Sequence, residues 1–276
     1  MKPREISLSV ILFLLFSLHI LSERVISLSP SITEILYEMD LGSSIVGNTK
    51  FCNYPDDANH KKKIGGYLDM NIEMIIDLNP DTIIHYPEHS KMLKPLNGIV
   101  KLIQVSHRNI EDLIKSIKKI STALNVKSKG ELLIKRITDG LNSIRMKKKG
   151  AIRKKVMIVI GGTPMQLKNL TIIGKGNFLN EIIKIAGGEN AYTGNIAYPL
   201  VSIESIIKMN PDIIIQFSFM DNSPSEKKLI GIWEKFPSIR AVFHKNIQII
   251  KDDYWARPGP RIVKIAESLY KILLRK

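Results

Sequence analysis

The sequence predicts an α/β protein of two Rossmann-like lobes with parallel sheets, which a long α-helix joins. One phrase is written twice: "IEMIIDLNPDTII" begins at Ile72, and "IESIIKMNPDIII" begins at Ile203, 131 positions later. So long a period indicates two similar lobes and excludes a solenoid of short repeats. Strand and helix patterns alternate around each copy, which favours parallel sheets. The 276 residues are enough for two ordinary domains.

The N-terminal lobe is predicted over residues 23–126 and opens with "RVISLSPSITEILYEMDLG". Val25 to Leu28 have the pattern of a short buried strand. Ser31 followed by Glu34 is the pattern of a capping box, in which both side chains satisfy free amides at a helix start. The apolar residues that follow recur at helical spacing, so they predict a helix. A second strand is predicted in "SSIVGNT".

Each copy of the repeated phrase predicts a capped helix followed by a strand. Asn71 and Ser202 are the predicted caps, and Asn79-Pro80 ends the first helix. The strands are "DTIIHY" and "DIIIQF". The C-terminal lobe, predicted over residues 151–276, begins with the strand "KVMIVIGG" and a helix that Asn177 caps.

Two helical patterns without strands lie between the lobes. Residues 110–124 carry apolar side chains at helical spacing, and residues 127–150 predict the connecting helix. Few Gly and Ser residues occur in the second pattern, so it predicts a rigid strut and not a flexible linker. The chain closes on "RPGPRIVKIAESLYKILLRK", a Pro-Gly turn followed by an amphipathic helix.

The first 22 residues differ from the rest and predict a signal peptide. "MKPRE" supplies positive charge, and the apolar run "ISLSVILFLLFSLHI" is short for a spanning helix. The segment around Ser22 is a poor cleavage site, so an uncleaved membrane anchor is the alternative. The pattern predicts export to the periplasm. Cys52 is the single cysteine, which excludes an intramolecular disulfide.

The net charge is +15. A basic balance can indicate nucleic acid, an anionic membrane or an acidic ligand. The lysines are spread over many segments, and neither a zinc-finger spacing nor an aromatic RNA-binding motif accompanies them. We therefore predict a solvated basic surface and no binding of nucleic acid.

Aromatic residues gather at predicted loop ends. Ligands of open parallel sheets bind beyond the carboxyl ends of the strands. In the two copies, the aromatic residues at that end are Tyr86 and Phe217, again 131 apart. The others near turns include Tyr54, Tyr67, Tyr198 and Trp255. Each alone could be a packing residue, but together they predict a cleft between the lobes for a large, flat or partly apolar ligand.

Five segments in this order resemble the substrate-binding proteins of cobalamin and ferric-siderophore ABC importers. They are "RVISLSPSITEIL", "GGYLDMNIEMIIDLNPDTII", "FLNEIIKIAGGENAY", "YPLVSIESIIKMNPDIII" and "RPGPRIV". The resemblance runs from about Arg24 onward and is strongest to the cobalamin-binding members. It implies two α/β lobes, a ligand held between them, a monomer, and an exported, non-enzymatic protein that delivers its ligand to membrane permease subunits.

The resemblance also implies which side chains meet the ligand. Cobalamin-binding members place aromatic residues, mostly tryptophans, at the positions of Tyr67, Tyr86 and Tyr198, which are all tyrosines here. The loop "DDYWARPGPR" matches the segment that contributes Asp253, Trp255 and Arg257 near the ligand. An arginine there suits a carboxylate or phosphate group.

Glu73 and Glu204 stand in the first turn of the two repeated helices. A carboxylate at that place complements the helix dipole. In the resembling family, the matching glutamates dock onto arginines of the two membrane subunits, so the resemblance implies docking here as well. A symmetric pair of exposed charges suits a two-fold partner.

Three alternatives remain open at this point. Haem is the alternative ligand, with a cleft tyrosine as the axial ligand of the iron. His85 and His89 flank Glu88 with a spacing that could chelate a cation, although we predict no resident metal or cofactor. A nucleotide-using two-domain enzyme is the rival class. The segments "GGTPMQLK" and "GKGN" are glycine-rich, but neither completes a phosphate-binding fingerprint.

Overall fold

The computed structural model describes residues 23–147, 153–163, 167–219 and 224–275. The predicted signal peptide, residues 1–22, lies outside this part of the chain. The strands are β1 (Val25–Ser27), β2 (Ile45–Asn48), β3 (Lys62–Lys63), β4 (Thr82–His85), β5 (Lys101–Gln104), β6 (Lys155–Thr163), β7 (Lys168–Ile172), β8 (Glu189–Asn190), β9 (Leu200–Val201), β10 (Ile213–Phe217) and β11 (Ile247–Ile250). The helices are α1 (Pro30–Glu38), α2 (Ile72–Asp77), α3 (Ile110–Ala123), α4 (Lys127–Lys147), α5 (Phe178–Ala186), α6 (Ile203–Met209), α7 (Glu226–Trp233), α8 (Arg240–Phe243) and α9 (Ile262–Leu274).

The first sheet has the order β3-β2-β1-β4-β5, and all of its neighbouring strands are parallel. The second sheet has the order β11-β10-β6-β7-β9, with β8 beside β6. The predicted two-lobed α/β fold is confirmed. One part of the second sheet differs from the prediction, because β7 runs antiparallel to β6 and β9. The connection from Thr163 to Lys168 is too short for the crossover that parallel strands need.

The two lobes place the repeated phrase equivalently. In each lobe the helix of the phrase precedes the strand that pairs with the first strand of the lobe: β4 pairs with β1, and β10 pairs with β6. Asn71 and Ser202 cap their helices as predicted, since their side chains accept hydrogen bonds from the amides of Met74 and Ser205.

Most identical residues of the phrase are needed by the fold. Asn79 and Asn210 end the helices in the left-handed region, which asparagine tolerates better than most residues. Asp81 then accepts a hydrogen bond from the amide of Arg24, and Asp212 from the amide of Lys155, at 2.8 and 2.7 Å. Each aspartate thus ties the phrase to the start of the first strand. The isoleucines of the two strands are buried.

The helices α3 and α4 pack closely against each other. Gly130 of α4 lies so near α3 that an added Cβ would stand 2.3 Å from the Ser121 hydroxyl. Gly140 faces Val263 of α9 in the same way, at 2.8 Å. The largest apolar cluster joins side chains of α1, α3, α4, α5 and α9 with both sheets. This shared core connects the lobes, because it contains side chains of both sheets.

The start of α1 corrects one prediction. The helix begins at Pro30, and Ser29 occupies the cap position without a side-chain hydrogen bond. Ser31 and Glu34 therefore form no capping box. Both are buried, at 2% exposure, and Glu34 pairs with a distant arginine described below.

Candidate ligand-binding site

A cleft of about 690 Å³ lies at the carboxyl ends of strands from both sheets. Its volume is in the range of small-molecule sites. The first lobe lines it after each of the strands β1 to β5, and the second lobe lines it after β10 and β11. The lining residues are Ser29, Pro30, Ser31, Lys50, Phe51, Asn53, Tyr67, Tyr86, His107, Phe219, Asp253, Ala256, Arg257 and Pro258.

Four predicted site residues line this cleft: Tyr67, Tyr86, Asp253 and Arg257. Tyr86 is only 3% exposed and lies at the floor of the cleft, and its ring packs against His107 at an angle of 40° with the centroids 4.0 Å apart. Sequence reasoning missed Phe51, His107 and Phe219. Phe219 lies two residues beyond Phe217, and the rule that ligands meet strand ends could have found it.

The other four predicted residues lie around the cleft or beneath it. Trp255 is 1% exposed and packs in the core against Phe217, with ring centroids 6.3 Å apart. Phe217 in turn contacts Phe219 at 5.4 Å, so the pair supports a lining ring from behind. The contacts of Trp255 and Phe217 with a ligand stay predictions, and the burial of Trp255 favours a supporting role.

Tyr54 and Tyr198 have exposed rings. Tyr198 is 53% exposed, and its hydroxyl accepts a hydrogen bond from the Asn177 amide at 2.6 Å. Tyr198 lies outside the residues that line the cleft, whereas Tyr67 lines it. The same spacing of 131 relates them in the sequence, a signal that sequence reasoning had not used. Tyr54 is 39% exposed. The guanidinium carbon of Arg261 lies over the ring of Tyr54, 4.2 Å from the ring centroid.

A polar group forms one wall of the cleft. Tyr67 donates a hydrogen bond to Glu88 Oε1 at 2.5 Å, and His107 Nε2 lies 3.5 Å from the same oxygen. Burial and this hydrogen bond raise the pKa of Tyr67 above its ordinary value. A neutral phenol is therefore favoured over a phenolate. A neighbouring hollow of about 630 Å³ is lined by Glu88 and His107, and His107 also lines the cleft, so this histidine lies between the two spaces.

The histidines near this wall point toward the backbone. His85 Nδ1 lies 2.9 Å from the carbonyl of Tyr86, and His89 Nδ1 accepts from the amide of Tyr86 at 3.2 Å. The two rings therefore do not face each other as a chelating pair. Among the described ranges, no group of three His, Cys, Asp or Glu residues could hold a metal ion.

The burial of His89 predicts that the stability of the protein falls in acid. His89 is fully buried, and this burial lowers its pKa from 6.5 to about 4. Between these pH values the unfolded chain binds a proton that the folded chain does not bind, so the free energy of unfolding falls as the pH is lowered from about 6.5 to 4. Full protonation should remove about 3 kcal/mol through this residue.

The test is urea unfolding as a function of pH. His89→Gln should flatten the profile in this range, whereas the exposed His60→Gln should leave its shape unchanged. Parallel profiles for wild type and His89→Gln would contradict the assignment, because the carboxylates that titrate at the same pH are common to both proteins.

A charged network joins the two lobes at the edge of the cleft. Glu34 of α1 accepts two hydrogen bonds from Arg261, at 2.8 and 2.5 Å. Arg257 lies 3.7 Å from the same carboxylate and also pairs with Asp253. Burial raises the pKa of Glu34, and the adjacent arginine opposes that rise. The carboxylate is thus compensated by residues more than 220 positions away.

Arg257 is held by its neighbours within the protein. It donates to Asn53 Oδ1 at 2.6 Å and to the carbonyl of Phe51 at 3.0 Å, in addition to Asp253. Asn53 also donates to Asp253 at 2.9 Å. The predicted contact of Arg257 with an anionic group of the ligand stays a prediction. The geometry shows that this arginine already fixes one cleft loop against the other.

None of the helices in the described residues is both long enough and apolar enough to cross a membrane. The sequence is 29% identical over 266 residues to a vitamin B12-binding protein of Vibrio vulnificus, covering 94% of this chain and 93% of that one. It is 28% identical to an uncharacterized ABC transporter substrate-binding lipoprotein of Bacillus subtilis, covering 90% and 80%.

A solved structure from Staphylococcus epidermidis, described as a possible iron-binding, periplasmic solute-binding protein, superposes with a TM-score of 0.80. It is 28% identical, and the match covers 92% of this chain and 99% of that one. The model of the periplasmic binding protein family matches residues 25–254. That match covers the strands of both lobes and most of the residues that line the cleft, and the chain therefore belongs to the periplasmic binding protein family.

Proposed function

We propose that this protein is the exported substrate-binding component of an ABC importer and that it delivers cobalamin or an iron chelate such as a ferric siderophore. The observation that carries the proposal is the cleft between the lobes, where Phe51 and Tyr67 of the first lobe and Phe219 of the second lobe present aromatic rings. Paired aromatic faces suit a broad, partly apolar ligand. Among the relatives named above, one is a vitamin B12-binding protein and one is described as a possible iron-binding protein, which supports these two ligand classes.

The remaining parts of the proposal follow from this role. The protein acts as a monomer, catalyses no reaction, and binds no nucleic acid. The predicted signal peptide directs it to the periplasm, with an uncleaved anchor as the alternative. Glu73 and Glu204 dock onto the permease subunits. Both are exposed, as this role requires, and a hydrogen bond with Ser202 lowers the pKa of Glu204, which keeps it charged.

Haem is the second candidate ligand, after cobalamin and the iron chelates. An axial tyrosine must lose its proton to bind ferric iron, but Tyr67 is buried enough to raise its pKa and already donates to Glu88. A stacked contact needs no such deprotonation. The wall formed by Tyr67, Glu88 and His107 therefore favours a ligand that keeps its own metal coordination.

The direct test is to identify what co-purifies with the protein. Mass spectrometry and a visible absorption spectrum of the freshly purified protein should show a corrinoid or a ferric chelate. Titration with cyanocobalamin and with a ferric siderophore would then rank the two. A co-purified haem would promote the second candidate, and a bound nucleotide would contradict the proposed class.

The cleft tyrosines give a second prediction. Tyr67→Ala and Tyr198→Ala should each weaken ligand binding by about 0.5–1.5 kcal/mol beyond the lost area, since each removes a stacking face. Tyr67→Phe keeps the aromatic ring and should therefore lose less ligand affinity than Tyr67→Ala. Phe243→Ala, 70% exposed and away from the cleft, is the control. Unchanged affinity in Tyr67→Ala and Tyr198→Ala, measured by calorimetry, would remove both residues from the site.

A further inference from the structure

The face of the molecule opposite the cleft is formed by the amino ends of both sheets and by α4. The cleft lies at the carboxyl ends of the strands, so the amino ends point away from it. The helix α4 starts four positions after Ala123, whose carbonyl accepts a hydrogen bond from Lys101 at the start of β5, at 2.9 Å. It ends at Lys147, whose carbonyl accepts one from Tyr270 of α9 at 3.4 Å, and α9 itself ends beside the start of β6. With 21 residues, α4 spans about 31 Å between the two edges. We call this face the base.

Lysines and arginines that are scattered in the sequence meet at the base. Four of them are exposed and form no ion pair within the described ranges: Lys127 at the start of α4, Arg153 and Lys155 at the start of β6, and Lys245 shortly before β11. The fold thus collects at one face a charge that the sequence distributes over more than a hundred positions.

Carboxylates at the base are partly neutralised in place. Glu23 lies 3.7 Å from Lys101, and Asp212 lies 3.0 Å from Arg240. Glu189 at the start of β8 offsets part of the remaining positive charge. The four cations without an ion pair still outnumber it, so the base presents positive charge to the solvent and attracts an anionic surface.

Large apolar side chains are exposed beside these cations. Each of the four stands within two positions of a lysine or arginine in the sequence, and each is between 57% and 71% exposed: Ile99 before β5, Met146 at the end of α4, Phe243 before β11 and Leu274 at the end of α9. Exposed apolar and basic side chains on one face are typical of proteins that lie on a membrane surface.

The N-terminal segment enters the structure at the same face. Glu23, the first described residue, accepts a hydrogen bond from Thr82 at the start of β4 and also lies near Lys101. The apolar run predicted as part of the signal peptide ends at Ile20. From there to Glu23 even an extended chain spans only about 10 Å. If the mature protein retains this segment as an anchor, the base is the face that it holds against the bilayer.

We propose that the base docks onto an anionic lipid bilayer. Its cations meet the phosphate headgroups, and its exposed apolar side chains enter the boundary between headgroups and acyl chains. Each basic side chain near such a surface strengthens binding about 5-fold. In this orientation the cleft faces away from the bilayer, so it is open to the ligand.

The test measures partition of the exported protein onto vesicles, without ligand or importer. Vesicles of phosphatidylethanolamine and phosphatidylglycerol should bind wild type much more tightly than vesicles of phosphatidylcholine alone, and added salt should weaken this binding. Lys127→Gln/Arg153→Gln/Lys155→Gln/Lys245→Gln should lower the partition about 100-fold or more.

The matched control removes the same charge elsewhere. Lys91→Gln/Lys227→Gln/Lys228→Gln/Lys264→Gln changes four exposed lysines that follow the carboxyl ends of strands, and it should bind like wild type. Circular dichroism and thermal unfolding would show that all variants are folded. Equal partition on the two kinds of vesicle, or equal loss in the two quadruple variants, would overturn the inference.

A second measurement reports the orientation, whether or not the N-terminal segment remains attached. Phe243→Trp places a fluorophore at the base, and Leu68→Trp places one beside the cleft, while the native tryptophans are buried and give a constant background. Brominated lipids in the anionic vesicles should quench Phe243→Trp and spare Leu68→Trp. Equal quenching of both, or quenching of Leu68→Trp alone, would contradict docking by the base. Since neither ligand nor importer is present, these results leave the proposed function untouched.

Discussion

Replacing Glu73 and Glu204 together by lysine should abolish ligand uptake and leave the affinity for the ligand unchanged. Both side chains are exposed, and neither lines the cleft. At the importer two attractive contacts would become two like-charge contacts, and each such juxtaposition costs several kcal/mol. The single variants should retain intermediate uptake.

The measurement is uptake into proteoliposomes that contain the membrane and ATPase subunits, run beside a calorimetric titration of the ligand. Glu131→Lys/Glu267→Lys is the control, because it adds the same charge at two exposed glutamates elsewhere. Normal uptake by Glu73→Lys/Glu204→Lys would leave these residues with the helix-dipole role only. Loss of uptake in the control as well would indicate a general effect of charge.

Arg261→Met should destabilise the protein by about 3–5 kcal/mol, since it leaves a buried carboxylate without its main partner. Glu34 is 2% exposed and receives two hydrogen bonds from Arg261. For a chain of this size, the loss corresponds to a fall in Tm of roughly 10 °C. Glu34→Gln/Arg261→Met should recover part of it, because the unpaired charge is then absent.

Arg136→Met is the matched control for this prediction. Arg136 pairs with Glu38 on the surface, where its side chain is 62% exposed, and breaking such a pair costs at most about 1 kcal/mol. Thermal and urea unfolding would measure both variants. Equal destabilisation by Arg136→Met and Arg261→Met would show that the network between the lobes contributes no more than a surface ion pair.

Local patterns in the sequence were sufficient to predict most of the fold. The repeated phrase, the caps Asn71, Asn177 and Ser202, and the alternation of strands and helices depend on residues close in sequence. Their hydrogen bonds are formed within a few positions, so propensity and spacing predict them. The antiparallel β7 was missed because no strand was predicted at Lys168–Ile172; had one been predicted, the short connection from β6 would have indicated its direction.

The site was harder to predict, because its contacts join distant residues. Glu34 has the spacing of a capping residue, and nothing near it in the sequence indicates a partner 227 positions away. Trp255 stands in a predicted cleft loop, but it is 1% exposed and packs against Phe217 at the end of β10. Tyr67 and Tyr198 could be found, since the duplication places them at equivalent positions of the two lobes.

The pairing of Glu34 with Arg261 also bears on the order in which the chain matures. A polypeptide leaves the ribosome or a translocation channel N-terminus first, so Glu34 emerges 227 residues before its counterion. Until then, packing α1 would bury an uncompensated charge, which is unfavourable. We therefore expect the first lobe to remain open to chaperones until nearly all of the chain has emerged, and ligand capture to begin only after that.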